Sequence, residues 1–380
     1  MDPRHAQRVR REIHRLSHLG LEPFAFRRQA RGLVHEVVPF DASCWLTMDP
    51  ASILMTGGLF DYPVEVAPAL ARNEFEEEDV NKMVVLARQP LPVGILSQAT
   101  GGQPERSARY REILKPAGLE AELRGVYRSG GNVWGGGALY RERGSPGFDP
   151  EEAAFVGSIS GLLGEGFRRS LVTATINGAS QVRDGPGLLV LAPDFSIEAM
   201  TPEAERWIDE LDEPVRLAGK GALHPVVLQV AGRARAIAAG VPAADTPPAS
   251  GRILTRTGRW LLVHASLLDG QLSGRTAVIL EPARPLEIAP LIVEAYRLTH
   301  REQQIAALVL QGFPTSQIAI RLCLSPLTVQ DYLKAIFDKM AVSSRREMAG
   351  RIFFDHHFPP TMSADLAGST RFTTRLGFEP

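Results

Sequence analysis

Cysteine is nearly absent from this chain of 380 residues: Cys44 and Cys323 are the two it has. Two thiols are too few for a disulfide framework or a thiolate metal site, and they fit a reducing compartment. Long apolar runs are missing too, since no stretch approaches the ~18 residues that span a bilayer. The opening MDPRHAQRVRREIHRL is basic and broken by charges, unlike a secretory signal. Excess charge of either sign is lacking: 42 cationic residues face 43 acidic ones, a net of -1. A protein made wholly to coat nucleic acid would be strongly basic, so any nucleic-acid binding must be confined to one local surface. Lysine supplies 5 of the 42 cations, a bias of GC-rich bacterial coding. Apolar residues at 44% and charged residues at 22% are ordinary for a globular protein. The length is two to three times that of a typical domain. The expectation is a soluble, cytoplasmic, multidomain bacterial protein.

Proline and glycine clusters divide the chain. Residues 1–20 read as an N-terminal helix whose Arg4, Arg8, Arg11 and Arg15 form a solvated basic face. A first α+β unit is expected over 21–170. In it ASCWLTM and PVGILSQ read as strands, and LEAELRGVYRSGGNVWGGGALYRERG as a hairpin rich in glycine. Asp149, Pro150 and Glu152 open a helix with a capping-box pattern, and Phe155, Ile159, Leu162, Leu163 and Phe167 stripe one face of it. A second α+β unit is expected over 185–284: two strands, helices from Pro202 and Pro225, then three strands. EPARPLEIAP (281–290) reads as a joint, since three prolines suit neither strand nor long helix. The segment 291–358 has helical periodicity throughout, and 359–380 reads as a loose tail. No internal repeat is visible.

The helical segment carries the function. Thr299 and Glu302 form a capping box, Ile305, Leu308 and Val309 share one face, and Gly312 stops the helix. A second helix starts at Thr315 or Ser316, with Ile318, Ala319 and Leu322 facing inward. After the turn Cys323-Leu324-Ser325, Ser325 caps a third helix with Pro326 in its first position. Val329, Leu333, Ile336, Phe337 and Met340 make its buried stripe; Leu327, Gln330, Asp331 and Lys334 lie opposite. A recognition helix needs this division, one stripe in the core and another reaching base edges in the major groove. Between Tyr296 and Asp355 stand eight cations and five anions, a local charge of +3. Two short helices around a tight turn also occur in ordinary helical domains, so the generic pattern alone does not decide.

The wording of the segment is more specific. LTHREQQIAALVLQGFPTSQIAIRLCLSPLTVQDYLKAIFDKMAVSSRRE resembles the LuxR/GerE-type helix-turn-helix domain nearly end to end. It has the L-T-x-R-E opening, the I-A core, the S-x-x-T-V-x-x-[HY]-L recognition helix and a close from Val342 to Glu347. The resemblance implies base or phosphate contacts from Gln330, Asp331 and Lys334. It also implies DNA contacts from Thr315, Ser316, Ser325, Thr328, Tyr332 and Arg345. Gln330 stands where many members have Lys or Arg, so no target sequence carries over. The final helix, RREMAGRIFFDHH, is expected to leave Met348, Ile352 and Phe353 partly exposed and to pair two copies through Met348 and Ile352.

GNVWGGGALYRERGSPGFDPEEAAFVGSISGLL resembles a GAF domain, and the strand order of the middle unit is PAS-like. The whole chain therefore looks like an actinobacterial LuxR-family regulator with GAF-like and PAS-like N-terminal domains. That implies double-stranded DNA and a second copy of the chain as partners. RNA polymerase and an unidentified small effector are further candidates, and no membrane is expected. Trp45, Trp134 and Phe155 read as core, and no haem or flavin ligand can be singled out, so no cofactor and no metal are expected. Gly135-Gly136-Gly137 lacks the Gly-Lys-Ser/Thr of a phosphate loop, and its glycines suit a hairpin. His35-Glu36 is followed by Pro39 where H-E-x-x-H needs His, and Ile159 occupies the serine place of G-x-S-x-G. The run from Glu74 to Asp79 reads as a solvated loop and helix start, and His356-His357 as surface. No enzyme constellation survives. The leading expectation is a transcriptional regulator. The runner-up is a signalling or ligand-binding protein whose helix-turn-helix contacts other proteins.

Overall fold

The structure, a computed structural model, describes residues 2–61, 66–177, 185–211, 223–240 and 248–353. It divides into two compact units. The first holds the described residues of 1–174, 184–256 and 260–283, the second those of 175–183, 257–259 and 284–380. Among the described residues no helix is long and apolar enough to cross a membrane, and no cluster of His, Cys, Asp or Glu is placed to hold a metal ion.

The first unit opens with α1 (Pro3–Leu16) and α2 (Pro23–His35). Asp2 caps α1, accepting from the Arg4 amide at 3.0 Å, and Pro3 occupies the first position. Val9, Ile13 and Leu16 of α1 are buried. On the other side Arg8 bonds Glu12 and Glu36. There follow β1 (Ala42–Asp49), β2 (Leu54–Phe60), α3 (Ala67–Phe75), α4 (Met83–Leu86), β3 (Val93–Ile95), α5 (Leu96–Ala99), β4 (Leu119–Ser129), β5 (Asn132–Glu142) and α6 (Pro150–Asn177). The strands form an antiparallel sheet in the order β2-β1-β5-β4-β3. PVGILSQ, expected as a strand, is split between β3 and α5. The capping box at the start of α6 is present, with Glu152 N to Asp149 Oδ1 at 2.9 Å and Asp149 N to Glu152 Oε2 at 3.0 Å.

One face of this sheet is aromatic. Trp45 stacks on Tyr127 and Tyr127 on Phe167, each at 5.8 Å, while Phe26 of α2 meets Phe167 of α6 edge-on at 5.1 Å. β4 and β5 form the expected hairpin, and Gly135 to Gly137 lie in the middle of its second arm, β5. The turn is Gly130-Gly131, at φ 62° and 86°, which suits a tight hairpin with two left-handed positions. The strand glycines make room: a Cβ on Gly137 would sit 2.5 Å from the Cys44 carbonyl oxygen.

The rest of the first unit is β6 (Gly187–Leu191), β7 (Ile197–Met200), α7 (Pro202–Asp209), α8 (Pro225–Ala238), β8 (Ser250–Leu254), β9 (Trp260–Leu267) and β10 (Thr276–Pro282). Its sheet runs β7-β6-β10-β9-β8. Counted within each half, both sheets follow the order 2-1-5-4-3, so the two halves repeat a topology that the sequence hides. They share one hydrophobic core, in which Leu46, Met55 and Leu86 join Val227, Val230 and Leu261. Gln229 of α8 accepts from the Met55 amide at 3.0 Å.

The acidic run is not merely solvated. Glu74 accepts from the Met83 amide at 2.7 Å and from Arg124 at 2.9 Å. Asp79 accepts from Asn73 at 2.8 Å, Ser107 at 3.0 Å and the Arg109 amide at 2.7 Å. These carboxylates stitch the α3–α4 connection to β4 and to the segment before it.

From 284 on, the described residues form five helices: α9 (Pro285–Ala295), α10 (His300–Leu310), α11 (Thr315–Leu322), α12 (Pro326–Met340) and α13 (Arg345–Phe353). The expected joint at 281–290 is instead the end of β10 and the first half of α9. Pro285 suits a first helical position, and Pro290 deletes one internal bond. Burial of Ile288, Leu291, Ile292 and Ala295 offsets that loss. The pair His356-His357 and the segment 359–380 lie outside the described residues.

Candidate nucleic-acid interface

Local chemistry fixes three of these helices against one another. Thr299 and Glu302 close the capping box of α10, with Thr299 N to Glu302 Oε2 at 2.6 Å and Glu302 N to Thr299 Oγ1 at 3.3 Å. The same carboxylate accepts from Lys339 Nζ, near the end of α12, at 2.6 Å. Burial pushes the Glu302 carboxyl up. The Lys339 ammonium and the amide and hydroxyl of Thr299 outweigh it, so the net shift is below the usual range. Arg301 Nη2 reaches the Leu322 carbonyl at 2.5 Å, tying α10 to the end of α11.

The turn between α11 and α12 runs as the sequence indicates. Cys323 is left-handed at φ 53° and exposed, and the Leu324 amide returns to the Ala319 carbonyl at 2.9 Å. Ser325 Oγ then accepts from the Thr328 amide at 3.0 Å, and the Ser325 and Thr328 hydroxyls meet at 2.8 Å. Ile318 and Ala319 are buried, as a close helix crossing needs. So are Val329, Leu333, Ile336 and Met340 of α12, while Phe337 is half-buried.

The opposite face of α12 is open. Leu327 is 68% exposed; Gln330 and Asp331, one turn on, and Lys334, one turn beyond them, are exposed along the same stripe. Among the described residues none of the three polar side chains has a hydrogen-bonding partner in its unit. Gln330, Lys334, Thr315 and Arg345 line one shallow depression. Ser316 is exposed at the start of α11, and Tyr332 is half-buried on the flank of α12.

Arg345 has a task that its sequence position did not disclose. Its Nη1 donates to the Phe313 carbonyl at 2.9 Å and its Nη2 to Thr315 Oγ1 at 2.7 Å. One guanidinium therefore holds the entry of α11, and the Thr315 hydroxyl is engaged with it. Arg321 covers the Phe313 ring at 4.1 Å.

The expected pairing strip does not exist as a surface. Met348 and Ile352 are 0% and 1% exposed. The three-helix core looked full from the sequence because 281–290 read as a joint and hid the start of a helix; α9 supplies the missing surface, and α13 packs on it. The side chain of Phe353 lies outside the described residues.

Residues 296–351 match the family described as bacterial regulatory proteins, luxR family, also called GerE. They form a LuxR-family helix-turn-helix domain. A protein of Aeromonas salmonicida, named as a candidate HTH-type transcriptional regulator in the exeN 3′ region, is 38% identical over 71 residues. That match covers 19% of this chain and 36% of the relative, so the chain spans about a third of the length of that curated protein. The crystal structure of a phage VqmA–DPO complex aligns at 15% identity and a TM-score of 0.19, over 48% of this chain and 86% of that one. That score is too low to relate the two folds. The family match thus spans α10 to α12 and most of α13, and it leaves α9 outside.

Proposed function

We propose that this chain is a sequence-specific transcriptional regulator whose LuxR-family domain lays α12 in the major groove of double-stranded DNA. One observation carries the proposal. The stripe Leu327, Gln330, Asp331 and Lys334 is open and without internal partners, on a helix whose other side is buried to the end. Gln pairs two-pronged with adenine, Lys reaches guanine acceptors or phosphate, and Asp accepts from cytosine. Thr315, Ser316, Ser325, Thr328, Tyr332 and Arg345 flank the stripe as phosphate contacts or as the frame that orients it.

The first unit is read as a GAF-like half followed by a PAS-like half, with signal sensing and dimerisation as its roles. Support comes from the 2-1-5-4-3 order of both sheets and from the helices α2 and α6 on one face of the first. The regulator acts as a homodimer on DNA, pairing through surfaces other than Met348 and Ile352.

The test is binding of the full chain to genomic DNA fragments at two salt concentrations. Phosphate contacts make the logarithm of affinity fall with log salt by about 0.9 per contact, so a steep, fragment-selective loss is expected. Absence of any fragment bound above background overturns the proposal.

A further inference from the structure

Leu327 is the one side chain of the open α12 stripe that can neither donate nor accept a hydrogen bond. It is 68% exposed, while Val329 and Leu333 on the other side of the helix are buried. A lone exposed leucine is ordinary on a protein surface and by itself needs no explanation. This one stands in the second position of α12, one turn before Gln330 and Asp331. The first residues of a recognition helix are the ones that meet base edges in the major groove.

The backbone around Leu327 is held on both sides. Ser325 Oγ accepts from the Thr328 amide at 3.0 Å, and the Ser325 and Thr328 hydroxyls meet at 2.8 Å. Pro326 has a fixed φ of its own. Leu327 is therefore presented from a rigid start of the helix. A phosphate set against it would lose water and gain no donor, so this end of the stripe does not suit the DNA backbone. Nor can an aliphatic chain read the ring nitrogens, carbonyls or amines of the base edges. The major groove offers it one apolar feature, the C5-methyl of thymine.

We propose that Leu327 packs on a thymine methyl and so requires a T·A pair at one position of the site that the domain binds. The proposal rests on the regulator reading above and names one specificity-determining residue within it. Gln330 lies three residues on, about 4.5 Å along the helix at 1.5 Å per residue, against about 3.4 Å per base pair. With α12 along the groove, the thymine lies within about two base pairs of the base that Gln330 reads. Continuity with Gln330, Asp331 and Lys334, which carry the donors and acceptors that bases match, favours DNA over a protein as the occupant of this surface.

The test starts from a duplex site selected by the full chain out of a random library. Each thymine of that site is then replaced in turn by deoxyuridine, which keeps the pairing edge and the O4 acceptor and removes the methyl alone. At one thymine, or one per bound copy, the replacement should weaken binding by the wild-type chain about fourfold, the ratio that burial of one such carbon gives. With Leu327→Ala the same replacement should leave affinity unchanged, and with Leu327→Met, which keeps an apolar tip within reach, the penalty should persist. Comparing penalties between proteins cancels whatever the missing methyl does to the DNA itself. An equal penalty in wild type and Leu327→Ala overturns the proposal, as does a selected site with no sensitive thymine; both outcomes leave the regulator reading standing. Failure of the full chain to select any site removes that reading and this proposal together.

Discussion

Arg252 of β8 grips Asp49 of β1, Nε to Oδ2 at 2.7 Å and Nη2 to Oδ1 at 2.6 Å, across the two halves of the first unit. The Asp49 side chain is 3% exposed and also accepts from the Ala51 amide at 2.9 Å. Two buried charges in a two-pronged pair are not worth their desolvation by default, but orphaning one of them is expensive. Arg252→Met should therefore cost about 3 kcal/mol in urea unfolding. Replacing both residues by leucine should restore much of the loss. A cost under about 1 kcal/mol for the single change would mean the pair is idle.

On α12 two substitutions separate reading from holding. Gln330→Ala should cost on the order of 1–3 kcal/mol at one base pair of the operator and leave non-specific binding alone. Lys334→Ala should lower affinity on all sequences and reduce the salt slope by about 1 if its ammonium meets a phosphate. If it meets a base, specificity relaxes at one position instead. Competition footprinting over a mutated operator series reads both. Unchanged affinity and specificity in the two variants would mean that another face of the domain meets DNA.

Glu302 links pH to the stability of the LuxR-family domain. Its folded pKa lies below its unfolded one, so its contribution is complete above the unfolded value of about 4.3. The contribution is then lost as pH falls through the folded value. Glu302→Gln should flatten this acid dependence. Lys339→Met should cost about 1 kcal/mol at neutral pH, since the ammonium is 36% exposed and screened. Chemical denaturation monitored by Tyr332 and helix content, at pH 7 and at pH 4, checks both. An equal loss between the two pH values in wild type and Glu302→Gln would exclude the linkage.

Much of the second unit was legible because its signals are local. Thr299 with Glu302, Ser325 with Pro326, and the 3.6-residue stripe of α12 each lie within a few residues, and the structure has them as read. What escaped depends on pairs far apart. Asp49 and Arg252 lie 203 residues apart. Arg345 reaches back 30 residues to Thr315, and a cavity beside Arg124 is lined from seven elements, β1, β2, β4, β5, α3, α4 and α8. The common strand order of the two halves was hidden because β2, Leu54–Phe60, carries two glycines and no clean alternation. Pro290 misled in the other direction: three prolines suggested a break, but helix burial overrode propensity.

The same override changes what Met348 and Ile352 can do. Had they been surplus apolar surface, charging them would have weakened pairing and spared the fold. They are instead sealed under the domain, 0% and 1% exposed, on the helix that packs against α9. Burying two unpaired carboxylates in that place costs several kcal/mol each, comparable with the whole stability of a small domain. Met348→Asp with Ile352→Asp should therefore unfold the five-helix unit, seen as loss of helical circular dichroism and of protease resistance over 284–353. The milder Met348→Leu should cost less than about 1.5 kcal/mol and leave DNA affinity and assembly unchanged. A doubly substituted protein that keeps its helix content while losing dimerisation would show that α13 faces a partner after all.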